Sequence, residues 1–316
     1  MKTTIQRLAL ATLTLLGLSA CSVSQPEGEI QGLAGLAISL DRTLGGMDRY
    51  ELEIDRFKIP YLKGGEGEPL VLIHGFGGSK DNFNRVARYL TEHYTVYSID
   101  LPGFGAATRI MGADYTIGAQ ADRVHEIITK LGLEKPHLGG NSMGGWISGA
   151  YAAKYPDEVA SVWFLAPSGL TESLKSEVLK HYYETGEPLL IANSREQYER
   201  IIDLVMYERP ALAPGFVIEA MAERAAQDVP LHAEIYSAFK DVDPNLDSTL
   251  KASEFDGPAL IVWGQQDRVL HVDGAQQLQA ALPGSEMQIL DKTGHVPMLE
   301  RPETVAKRYI EWRKKK

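Results

Sequence analysis

Residues 136–154 read PHLGGNSMGGWISGAYAAK. An apolar run, Pro136–Gly139, leads into Gly140-Asn141-Ser142-Met143-Gly144-Gly145, and an Ala- and Gly-rich helical pattern follows over Met143–Lys154. A serine between glycines arises by chance in many loops. Between a strand and a helix it has a specific meaning: a strained turn that lifts the hydroxyl above the end of a sheet. Gly140 and Gly144 let strand and helix approach closely, and the turn aims the Met143 N–H at the space before the hydroxyl. Ser142 is therefore the candidate nucleophile.

Outward from this turn, β-rich runs alternate with helical patterns. Tyr50–Ile54 and Phe57–Tyr61 suit an opening hairpin. Pro69–Ile73, Tyr94–Ile99, Val159–Leu165, Ala259–Trp263 and Glu286–Leu290 are apolar runs of the kind found in strands covered on both faces. Helical spacing covers Lys80–Glu92, Ile117–Leu131, Val272–Ala281 and Pro302–Arg313, the last with proline in its first turn. This alternation predicts an α/β fold with a doubly wound, mostly parallel sheet. It stops between Thr171 and Ser253, where several helices are expected with breaks at Pro210, Pro214, Pro230 and Pro244. That stretch is too long for a loop in a compact domain and reads as an inserted helical cap. The core is then 50–170 plus 254–316, with the cap at 171–253. Leu189, Leu190, Ile191, Phe216, Val217 and Met221 supply apolar material in the cap.

Three further motifs follow strands. His74-Gly75-Phe76-Gly77-Gly78 brings backbone close to a reacting carbonyl, with the Phe76 N–H as a second oxyanion donor beside Met143; His74 is expected to tie the loop down. Gly264-Gln265-Gln266-Asp267 and Gly294-His295 complete the order Ser…Asp…His. Asp267 would fix the tautomer of His295, which would serve as the base. Asp100 precedes the serine and is expected to cap a turn instead. Asp291 is too near His295 in sequence to orient it from below.

The chain of 316 residues carries 32 basic and 42 acidic side chains, a formal charge of −10. That excludes a basic nucleic-acid-binding face and electrostatic docking on anionic lipid. With one cysteine, Cys21, an internal disulfide or a cysteine-rich metal site is impossible. No metal or cofactor is expected.

The N-terminus has Lys2 and Arg7, no acid, and an apolar run from Leu8 to Leu18. Roughly 11 residues cannot span a bilayer, which needs about 20. A basic start with a short apolar run describes a secretory signal peptide, residues 1–20. Leu18-Ser19-Ala20-Cys21 resembles the lipobox of bacterial lipoproteins, which implies cleavage before Cys21 and acylation of its thiol. Ser22, in place of Asp, implies sorting to the outer membrane. Residues 21–49 would then hold a lipid-anchored tether, polar to about Gln31, and a short amphipathic helix over Gly32–Leu44.

From Tyr50 to Trp312 the motifs resemble the α/β-hydrolase superfamily. More narrowly, Asn141–Gly145, Leu165-Ala166-Pro167-Ser168-Gly169-Leu170 and His295-Val296-Pro297-Met298-Leu299-Glu300-Arg301-Pro302 are similar to bacterial ester lipases and to membrane-bound monoacylglycerol lipases. The resemblance implies a serine carboxylester hydrolase acting on a small ester or lipid. Carbon–carbon bond hydrolases of ring-cleavage products share the serine motif; a Trp usually follows their catalytic histidine, where this chain has Val296. A non-enzymatic anchored lipoprotein is the other alternative, though such proteins typically lose a triad member.

Overall fold

The computed structural model describes residues 26–209, 214–240 and 243–316. The expected leader, Cys21 and Pro210 lie outside the described residues. In chain order the elements are α1 (Gly32–Leu44), β1 (Asp48–Ile54), β2 (Phe57–Gly64), β3 (Glu68–Ile73), α2 (Asn84–Leu90), β4 (Tyr94–Ile99), α3 (Ile117–Lys130), β5 (His137–Asn141), α4 (Met143–Lys154) and β6 (Ser161–Leu165). They continue as α5 (Glu177–Thr185), α6 (Arg195–Val205), α7 (Gly215–Lys240), α8 (Leu246–Ala252), β7 (Ala259–Gly264), α9 (Asp273–Ala281), β8 (Glu286–Leu290), α10 (Pro297–Glu300) and α11 (Pro302–Arg313).

The strands form one sheet in the order β1-β2-β4-β3-β5-β6-β7-β8. The β1–β2 and β2–β4 pairs are antiparallel; every pair from β4 to β8 is parallel. Alternate strand residues feed two cores, because successive side chains point to opposite faces. Val71, Ile73, Leu138, Phe164 and Ile261 pack with Val124 and Ile127 of α3 and Ile147 of α4. Leu70, Leu72, Trp163, Leu165 and Val262 pack with Val86 and Leu90 of α2 and Tyr309 and Trp312 of α11. Parallel order places the C-terminal ends of β3, β5, β7 and β8 along one edge, and the four motifs sit there.

Four local features differ from the sequence reading. The pattern Lys80–Glu92 divides into a 3-10 turn, Lys80–Phe83, and α2, because Ser79 and Asn82 form a capping box. Pro230 lies inside α7 and does not break it, whereas Pro214 accepts the first N–H bonds at its start. Proline keeps helical φ and forfeits one hydrogen bond, which neighbouring packing tolerates. At the end of the 171–253 stretch, α8 buries Leu246 and Leu250 against the core beside α4. The polar stretch read as a tether becomes fixed at Glu29, which is buried.

Glu29 joins a buried charge cluster. Its carboxylate pairs with Arg42 at 2.7 Å, Arg49 at 2.9 Å and Lys80 at 2.9 Å. Arg42 also pairs with Asp81 at 2.6 Å, and Lys80 with Asp100 at 2.9 Å. Asp100 further accepts the Ala106 N–H, closing its turn as expected. Three acids and three bases balance, so burial leaves no uncompensated charge. The cluster ties the N-terminal arm to the segment after the β3 loop.

Burial alone would raise the pKa of Asp81, but Lys80 and Arg42 outweigh it and hold Asp81 at about 2. Burial and the same two cations likewise leave Glu29 below its ordinary value of 4.5. Both folded pKa values are depressed, so this stabilisation is complete above about pH 4.5 and fades as pH falls toward 2. Thermal melts followed by circular dichroism should show the melting temperature dropping across that interval. Glu29→Gln should flatten the drop; equal acid sensitivity in both proteins would refute the role of the cluster.

Candidate active site

Ser142 stands between β5 and α4 with φ 55° and ψ −120°. A non-glycine residue there costs about 1–3 kcal/mol and persists only when its surroundings enforce it. They do. A Cβ on Gly144 would lie 2.1 Å from the Ile73 carbonyl oxygen, so α4 abuts β3 with no room for a side chain. The Ser142 N–H donates to Leu165 O at 3.1 Å, and its carbonyl accepts from Ser168 and Trp146. Met143 is the first residue of α4, and N–H groups in a first helical turn have no intrahelical acceptor.

The β3 loop lies against this turn. A Cβ on Gly75 would stand 2.9 Å from the Ser142 Cβ. His74 is fully buried and ties the loop down: the Leu101 N–H donates to its Nε2 at 3.0 Å, and its Nδ1 donates to Gly75 O at 2.7 Å. That pattern requires the neutral imidazole, and burial lowers the His74 pKa accordingly. The Phe76 ring meets Phe104 and, on α7, His232 and Tyr236, with centroids 5.3–5.6 Å apart. Here the cap touches the loop. Phe216 and Met221, by contrast, stand exposed.

Asp267 and His295 meet at the ends of β7 and β8. His295 Nδ1 donates to Asp267 Oδ2 at 2.8 Å. The same oxygen accepts the Trp263 indole N–H at 3.0 Å, while Oδ1 accepts the Val269 and Leu270 N–H groups at 2.8 and 2.9 Å. Four donors surround this one buried carboxylate and fix its orientation. With Nδ1 donating, Nε2 is left as the acceptor nitrogen. Asp291 instead accepts from Gln266, away from the imidazole.

Three positioning contacts carried no local signal in the sequence. Asn141 Nδ2 donates to Leu165 O at 2.9 Å and His295 O at 3.0 Å, joining the serine strand to the histidine loop. The His295 N–H donates to Val205 O at the end of α6. Glu300 accepts the Gly294 N–H at 2.8 Å with one oxygen, and the Tyr207 and Glu208 N–H groups at 2.7 and 3.3 Å with the other. One carboxylate thus clamps the histidine loop to the cap. Among the described residues, no group of three or more His, Cys, Asp or Glu side chains is arranged to hold a metal.

A strained serine at a strand–helix turn, a loop of close backbone beside it, and a buried Asp–His pair at neighbouring strand ends define an α/β hydrolase. The chain belongs to the α/β hydrolase fold family, which matches residues 68–302, and it is a hydrolase of the lipase and esterase class. It is 35% identical to Lipase 3 of Moraxella sp. (strain TA144) over 98% of both chains. It is 30% identical to monoacylglycerol lipase abhd6-A of Xenopus laevis, covering 78% of this chain and 75% of that one. A crystal structure of a membrane phospholipase A, described as a bacterial virulence factor, superposes with a TM-score of 0.85 at 33% identity, over 100% of this chain and 99% of that one.

Glu300→Gln keeps the side-chain shape but offers one acceptor oxygen where two serve three N–H groups. It should cost about 1–3 kcal/mol of stability and lower kcat more than KM, because it loosens the histidine loop. Thermal melts and ester kinetics check this; a variant with unchanged kcat would show that the clamp does not position His295.

Proposed function

We propose that the protein is a serine carboxylester hydrolase that cleaves acylglycerols or other fatty-acyl esters through an acyl-enzyme on Ser142. The observation that carries this reading is the Asp267–His295 hydrogen bond at the edge where the strained Ser142 stands. His295 Nε2 takes the Ser142 proton as Oγ attacks the ester carbonyl carbon, and the carbonyl π electrons move onto oxygen. The N–H groups of Phe76 and Met143 hold that oxyanion, each worth about 3 kcal/mol where such donors have been removed. Asp267 keeps the imidazolium oriented and charge-balanced. Collapse breaks the bond to the leaving alkoxide, which receives the proton from His295. Water, deprotonated by His295, then releases the acid and restores Ser142. The oxyanion donors and the triad are backbone and side-chain groups, so this route requires no cofactor.

The lipid direction is supported by the named lipases among the relatives and by the N-terminal sequence. We further propose that Cys21 is acylated and that the protein is held at the bacterial cell envelope, at the outer membrane. Among the described residues no helix is long and apolar enough to cross a membrane.

Ser142→Ala should abolish ester hydrolysis with the melting temperature retained. Residual activity above ~1% would contradict the assignment, since losing a triad nucleophile costs several orders of magnitude. A fluorophosphonate should add one mass increment to the Ser142 peptide and none elsewhere. Cys21→Ser should move the protein from the membrane pellet to the soluble fraction; persistence in the pellet with unchanged processing would refute the acyl anchor.

A further inference from the structure

The helix α1 is built inside out. Its inward face presents Ala34, Gly35 and Arg42, all buried. Its outward face carries Leu33, Leu36, Leu40 and Leu44, which are 74%, 48%, 55% and 61% exposed. At about 100° per residue these four fall within an arc of about 80°, an unbroken leucine stripe along a helix roughly 20 Å long. The helix cannot roll to hide them. Arg42 is held at 2.7 Å by Glu29 and at 2.6 Å by Asp81, and rolling α1 would break both pairs and strand their charges.

We infer that the leucine stripe of α1 is a docking surface that lies in the interface of a lipid bilayer. The proposal rests on the lipid-directed reading of the site, and it adds which face of the molecule meets the lipid. Ten residues lie between Cys21 and Gly32, and from Pro26 the chain turns onto the body of the protein, the Glu29 N–H donating to Pro26 O. The five residue steps from Cys21 to Pro26 span at most ~18 Å even when fully extended, so a bilayer that held Cys21 would be within range of α1. Tethering raises the local concentration of the surface, so even a weakly apolar stripe engages. Within the leucine arc there is no charged residue; Asp41 flanks it, and its half-buried carboxylate is paired with Arg88 at 3.5 Å. A second copy of the chain is the less suitable occupant. A strip roughly 20 Å by 10 Å is far short of the ~800 Å² each partner gives a standard protein interface.

The docking surface is rigidly related to the site. α1 packs beside the cap helix α7. In turn, Asp228 of α7 pairs with Arg109 at 2.6 Å, and Arg224 donates to Gly105 O, on the loop that carries Phe104. His232 and Tyr236 of the same helix meet Phe76. Leucines seated in lipid therefore hold the junction of cap and β3 loop at a set orientation to the membrane.

The test uses the full chain reconstituted in phosphatidylcholine vesicles whose acyl chains are brominated. The native tryptophans are buried, so a new indole reports its own surroundings. The Leu40→Trp indole should be quenched at least twofold relative to unbrominated vesicles. The Glu134→Trp indole, exposed before β5 at the sheet end remote from Ser142, should not be. An unquenched Leu40→Trp indole in vesicle-bound protein overturns the proposal, whether a second copy or the chain's own apolar leader covers the stripe. Equal quenching at both positions overturns it too, because no defined face is then docked. Leu36→Ser with Leu40→Ser should lower hydrolysis of a long-chain monoacylglycerol in vesicles at least fivefold and leave a soluble short-chain ester within twofold. If the wild type cleaves neither ester, the enzymatic reading fails while the quenching result still decides the docking.

Discussion

The site depends on the close approach of one helix to two strands. At Gly144 the backbone of α4 leaves no space for a Cβ before the carbonyl of Ile73. The chain must turn from β5 into α4 within one residue, and Ser142 absorbs that turn at a φ of 55°. The strain is stored in the folded state, and hydrogen bonds to Leu165, Trp146 and Ser168 hold it there. A larger residue at Gly144 would force the helix away, relax the serine and open the gap to Gly75.

Around this turn the structure binds strand ends to each other through side chains with more than one partner. Asn141 bridges β6 and the histidine loop. Asp267 satisfies all its acceptor positions with protein donors before any substrate arrives. Glu300 gathers N–H groups from the histidine loop and from the cap. Burial raises its pKa, and those N–H groups offset part of that rise. Such multiply satisfied groups resist rotation, which is what preorganisation of a site requires.

Much of this was legible in the chain. The strand–turn–helix around Ser142, the loop at His74 and the order of Asp267 and His295 are local patterns with fixed backbone consequences. The eight strands follow from β-rich runs, with ends shifted by at most three residues, the largest shift being the extension of β2 from Tyr61 to Gly64. The charge cluster was not legible. Glu29, Arg42 and Asp100 lie far apart in sequence, and each alone looks like an ordinary solvated side chain. Lys80 sits inside a helical pattern, and only the folded chain shows it buried and paired with Asp100 at 2.9 Å. Trp263 read as strand core, and only the folded chain shows its indole N–H on Asp267.

The leucines of α1 show the division most clearly. Their spacing announces an amphipathic helix, and any such helix would be expected to turn them inward. The tertiary structure turns them out, because Arg42 on the opposite face has two carboxylates to satisfy and a buried charge outweighs an exposed leucine. By itself the sequence determined the fold class, the strand–helix order and the identity of the three polar residues brought to one sheet edge, since these follow from short-range backbone geometry and periodicity. Only the tertiary structure decided which face of α1 is presented, how the cap is tied to the histidine loop, and which donors hold Asp267. Those outcomes depend on electrostatic and hydrogen-bond partners whose geometry exists only in the folded chain.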